Sequence, residues 1–216
     1  MVVLRAILMV MLFVSPLATA APPTGWELVS NTDGIEVARK TMEGSSLFAF
    51  RGESTQNVHI SVLASVLLAD SIGPEWVDLM TDSRFLHRDS DTTKVIYQSY
   101  GLPWPIQDRD YVLFQEANYD DATKVFTLMF KSVDDAMMPV QECCVRAVAY
   151  RTFWRLEALG GNRTQVEVEV YTDPRGSLPA WLINLIQKDW PYNTITALVG
   201  RASQEDLPAD VRMSDW

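Results

Sequence analysis

From Lys94 to Thr172 five short apolar-rich segments follow one another: "KVIYQSYG", "DYVLFQEANY", "KVFTLMFKSV", "CVRAVAYRTFWRLEAL" and "TQVEVEVYT". The stretches between them, "PWPIQDR", "DDAT", "DDAMMPVQE" and "GGNR", are rich in Pro, Gly, Asp and Asn. Successive strands punctuated by turn chemistry predict an antiparallel sheet. Upstream, "GIEVARK" and "LFAFRGES" flank Met42–Ser45 as a hairpin would, and residues 58–69 carry apolar side chains at helical spacing. Residues 74–80 read as a second short helix. From Pro179 to about Arg201 one long helix is predicted, with Leu182, Leu185, Ile186, Trp190, Ile195, Leu198 and Val199 as its apolar positions and Pro191 as an internal kink. The order is that of a single α+β domain with its core over about residues 26–201. A curved sheet with a helix across its mouth encloses an interior filled by side chains or by a ligand, and periodicity leaves both open.

The first twenty residues stand apart. Arg5 precedes a short apolar run, Ala6–Val14, followed by Ser15-Pro16 and the small-residue site Ala18-Thr19-Ala20. That is the pattern of a secretory signal peptide, too short for a bilayer span of about 20 residues. The expectation is a chain cleaved after residue 20, leaving residues 21–216 in the periplasm or secreted. Cleavage removes one cation, so 17 basic side chains face 28 acidic ones, a net of −11. Nucleic acid is thereby excluded, since phosphate binding needs a concentrated basic face. No protein partner can be read from the chain.

Catalytic and metal signatures are missing. The two histidines, His59 and His87, form no metal-binding pair. No nucleophile elbow, phosphate-cradling loop or dinucleotide fingerprint occurs, so no cofactor or metal is expected. Asp120-Asp121 and Asp134-Asp135 fall in turns, and Gly160-Gly161-Asn162 reads as another. Cys143 and Cys144 are adjacent, and either two partly buried thiols or a vicinal disulfide fits.

Several stretches together resemble the START domain family of lipid-binding and lipid-transfer proteins: "PEWVDLM" with Trp76, "VIYQSYGLPWPIQDRDYV", "KSVDD", "CVRA" and "DPRGSLPAWLIN". The resemblance, to a secreted or periplasmic bacterial-type member, implies a helix-grip fold: a curved antiparallel sheet wrapped around a long C-terminal helix, enclosing a hydrophobic tunnel for one lipid. It implies transient membrane contact by Trp104, a gate helix bearing Trp181, Leu182, Leu185 and Ile186, and Arg109-Asp110 as a loop-fixing pair. Family positions that grip charged headgroups fall on Gly73 and Val77. The ligand-binding positions carried over are Gln98, Tyr111, Gln115, Arg146 and Tyr150, with Leu113 added by strand alternation from Tyr111 to Gln115. Neutral glutamines suit an uncharged or weakly polar headgroup, with Arg146 as the one cation in reserve. The expected function is lipid carriage without catalysis. The alternative is a cyclase- or hydrolase-like enzyme, or a sensor, using Arg146 with a neighbouring carboxylate.

Overall fold

The computed structural model describes residues 23–204, so the predicted signal segment lies outside the described residues. The chain runs β1 (Glu27–Thr32), β2 (Ile35–Thr41), β3 (Phe48–Gln56), α1 (Ile60–Leu68), a 3-10 turn (Asp70–Ile72), α2 (Gly73–Trp76), β4 (Met80–Arg88), β5 (Thr93–Tyr100), β6 (Asp108–Asp120), β7 (Val125–Ser132), β8 (Cys144–Arg146), β9 (Val148–Ala158), β10 (Thr164–Asp173), α3 (Ala180–Gln187) and α4 (Trp190–Ala202). The strands form one sheet in the order β1-β2-β3-β10-β9-β7-β6-β5-β4, antiparallel throughout this path, while β8 pairs with β6 in parallel. The sheet wraps over the C-terminal helices, which is the predicted helix-grip architecture.

The core lies between the inner face of the sheet and the helices α1 and α4. Phe126, Leu128, Trp154, Leu156, Val166 and Val168 supply the sheet side, and Leu63, Val66, Ile195 and Leu198 the helical side. At about 25 cal/mol per Å² this apolar burial is the main stabilising term. The sheet admits α4 at close range only because residue 52 is glycine. A Cβ there would lie 2.7 Å from Pro191 Cβ and 3.0 Å from Ile195 Cδ1. α1 begins at His59, whose Nδ1 accepts from Ser61 N–H at 3.3 Å, so this histidine is a helix cap.

Four local expectations need correction. β1 and β4 were not legible, because β1 is exposed along its whole length and β4 alternates irregularly across register shifts at Met80/Asp82 and Phe85/His87. Both are sheet edges, where polar residues and bulges blunt pairing. The segment 74–80 is helical only to Trp76 and re-enters the sheet at Met80. The expected strand starting at Cys144 divides at Ala147 into β8 and β9. The expected single terminal helix divides at Lys188-Asp189, and Pro191 lies in the first turn of α4, where its missing N–H costs no helical bond.

Candidate functional site

Between the sheet and α3 lies a cavity of about 290 Å³. Its walls come from β5 and β6 (Gln98, Tyr100, Arg109, Tyr111, Leu113), β7 and β9 (Phe130, Ala149, Thr152, Trp154), and β10 (Val170, Thr172). The region after α1 (Trp76 to Met80) and the α3 segment (Leu178, Ile183, Ile186, Gln187) close it. Strand alternation places Arg109, Tyr111 and Leu113 on one face of β6, and Gln98 and Tyr100 beside them on β5. Gln98 pairs in register with Tyr111.

The polar groups cluster at one end. Tyr100 donates its hydroxyl to Gln98 Oε1 at 3.1 Å, and its ring packs edge-on against Tyr111 with centroids 5.6 Å apart. Burial pushes the Tyr111 hydroxyl up to about 12 and Tyr100 higher still, so both are neutral donors at physiological pH. Gln187 of α3 donates Nε2 to Thr172 Oγ1 at 2.8 Å and to Thr172 O at 3.3 Å, tying the closing helix to the sheet. Asn184 adds a second tie: its Oδ1 accepts from Phe48 N–H and its Nδ2 donates to Ser46 O, both at 2.9 Å. Trp76 Nε1 and Ser83 Oγ, on the opposite wall, are buried without a protein partner.

Of the expected ligand positions, Gln98, Tyr111 and Leu113 line the cavity. Gln115, Arg146 and Tyr150 do not. Gln115 is on the same face as Tyr111 but further along β6, opposite Lys94 and Phe130, and is buried outside the cavity wall. Arg146 projects to the other face, where Nε and Nη2 donate to Asp110 Oδ1 and Oδ2 at 3.0 and 2.9 Å. Tyr150 is 42% exposed and stacks on Tyr171, 4.6 Å between centroids. A bulge explains it: Tyr171 pairs with Arg151 but Thr172 with Ala149, so residue 150 is extra and the inner position passes to Ala149.

Arg109 is the residue the reading of the sequence misplaced. It does not pair with Asp110, because neighbours on a strand face opposite ways. Its guanidinium donates instead to Pro174 O at 2.9 Å, to Arg175 O at 3.1 Å and to Gln107 O, at the cavity wall. Burial lowers its pKa. Counting back two from Tyr111 would have found it.

At the mouth, Trp104 is 92% exposed, at the tip of a loop closed by Ile106 N–H to Pro103 O at 3.0 Å and by Leu102 N–H to Asp108 Oδ1 at 2.9 Å. Leu102 of the same loop lines the cavity. On α3, Trp181 is 67% exposed, Leu185 faces outward beside it, and Leu182 is half-buried. Of the four expected gate residues, Ile186 alone reaches the cavity wall.

Comparison with known proteins decides the family. The START domain profile matches residues 17–190. The chain belongs to the START domain family. This START domain is 23% identical to phosphatidylcholine transfer protein of Mus musculus, over 81% of this chain and 82% of that one. It is also similar to the crystal structure of a STAR-related lipid transfer protein from Xanthomonas axonopodis, with 27% identity and a TM-score of 0.73 over 83% of this chain and 99% of that one. Human STARD10 superposes with a TM-score of 0.79 at 21% identity, covering 84% of this START domain and 74% of its own chain.

Proposed function

We propose that this START domain is an exported carrier that holds one largely apolar lipid, with a neutral or weakly polar headgroup, and passes it to or from a membrane without chemical change. The observation that carries the reading is the cavity itself: apolar walls, a few polar groups gathered at one end, and a closing helix tied down by side-chain hydrogen bonds. Each methylene removed from water into such a cavity contributes about 0.8 kcal/mol. Similarity to phosphatidylcholine transfer protein and to the Xanthomonas lipid transfer protein supports carriage of lipid. The enzymatic alternative loses its one candidate, because Arg146 and the carboxylate beside it sit across the sheet from the cavity.

Export follows, in this proposal, from residues 1–20 acting as a cleaved signal, and the amino-terminal sequence of the exported protein tests it. Membrane contact is assigned to Trp104 together with Trp181 and Leu185, since indoles are stable at the headgroup boundary. Native mass spectrometry of protein purified from its host, followed by lipid extraction, tests the carrier. One lipid per chain is expected. A protein that carries none and takes up none from vesicles overturns the proposal.

A further inference from the structure

The Arg109 end of the cavity offers hydrogen-bond donors, and the oxygens beside them already carry hydrogen bonds. Gln98 Oε1 already accepts from Tyr100, and both oxygens of Thr172 accept from Gln187. Gln187 Oε1 has no protein partner but is covered by protein and presents no surface to the cavity. What remains is the Gln98 amide N–H2, without a protein partner among the described residues, and the Arg109 guanidinium. Three of its five N–H groups are taken, all by backbone carbonyls.

We infer that the polar end of the bound lipid is a single carboxylate, received by Arg109 and the Gln98 amide. This rests on the reading of the protein as a lipid carrier and departs from it at the headgroup, which is a charged carboxylate in place of a neutral group.

Charge supports this choice. Arg109 is 4% exposed, and among the described residues no carboxylate lies within 4 Å of its guanidinium. Asp108 acts on it only from a distance and accepts Leu102 N–H. A buried cation held only by neutral carbonyls is poorly compensated, and an anion brought to it repays desolvation that a neutral headgroup cannot. A hydroxyl headgroup would leave the charge of Arg109 uncompensated, and a zwitterionic headgroup would bring a second cation towards it. The rim carboxylates do not alter this end. Asp173, which acts on Tyr111, is paired with Arg175 at 3.2 Å, Asp70 is paired with Lys94 at 2.5 Å, and Asp78 is exposed to solvent.

The test titrates lipid-stripped protein at neutral pH with three probes of equal chain length: sodium myristate, methyl myristate and 1-tetradecanol. Myristate is expected to bind roughly tenfold tighter than either neutral probe. Arg109→Gln is expected to abolish that preference. Myristate binding no tighter than the neutral probes overturns the carboxylate and leaves the carrier standing. A folded R109Q that keeps the full preference also overturns it. None of the probes binding, with no uptake from vesicles, overturns carrier and carboxylate together. If R109Q does not fold, the three-probe comparison on the wild type decides alone.

Discussion

Arg146 grips both carboxylate oxygens of Asp110, at 3.0 and 2.9 Å, and Asp110 is wholly inaccessible to solvent. The pair crosses the parallel contact between β6 and β8, where Asp110 and Arg146 are register partners. Arg146 also donates to Met138 O at 3.3 Å and to Pro139 O at 3.2 Å, so it fastens the β7–β8 connection to the back of the cavity wall. Asp110→Ala leaves that guanidinium without its carboxylate partner. A loss of about 3 kcal/mol in unfolding free energy is expected by denaturant titration. Lipid affinity of the folded fraction should not change, since neither residue lines the cavity.

Trp104 is held out by a loop in which Leu102 belongs to the cavity wall. Trp104→Ala should slow lipid transfer between vesicles by about tenfold and leave equilibrium lipid binding within about twofold. Stopped-flow transfer of a fluorescent lipid checks the first, and titration of the same lipid the second. Equal losses in both would remove the membrane role.

Tyr111 and Tyr150 separate the two faces of the sheet. Tyr150→Ala removes a stacked ring from the outer surface and should cost about 1 kcal/mol of stability with no change in lipid affinity. Tyr111→Ala opens the cavity wall, and lipid affinity should fall at least several-fold. Parallel isothermal titrations of the two variants against one lipid distinguish them, and a Tyr150 variant that binds worse would disprove the bulge.

His87 is bonded through Nε2 to Asp135 Oδ2 at 2.6 Å and through Nδ1 to Asp89 Oδ1 at 3.1 Å. The hydrogen bond to Asp135 is the main cause that raises the His87 pKa, and the reciprocal bond holds Asp135 low. A raised histidine stabilises the fold fully below its unfolded value of about 6.5, and the gain is lost as pH rises through the raised folded value. The depressed Asp135 contributes above its unfolded value of about 3.9 and loses that contribution as pH falls through its folded value. His87→Ala should therefore melt below the wild type most clearly between about pH 4 and 6.5, with the gap closing in alkaline buffer. Thermal melts across pH check this, and a gap that widens above neutrality would refute it.

Periodicity was enough for the β2–β3 hairpin and for the strands β5, β6, β7 and β10, and alternation put Leu113 on the face of Tyr111 that the family resemblance had turned inward. Each depends on residues close in the chain, where alternation of side chains dictates the face. β1 and β4 escaped because register shifts, at Leu28/Ser30 in β1 and at Met80/Asp82 and Phe85/His87 in β4, break the alternation that would be read. Tyr150 was assigned to the interior by counting along an unbroken strand, and one extra residue at the bulge reversed the count.

The apolar pattern and turn chemistry of the chain by themselves determined an α+β domain with a curved sheet, a C-terminal helical cover and an exposed Trp104 loop. Tertiary structure decided which charges meet. Arg146 found Asp110 from 36 residues away, and Arg109 found the carbonyls of Pro174 and Arg175 from the far end of β10. Such pairings depend on strand order and on register across the sheet, which no local spacing encodes, and here they left Arg109 as the cation on the cavity wall.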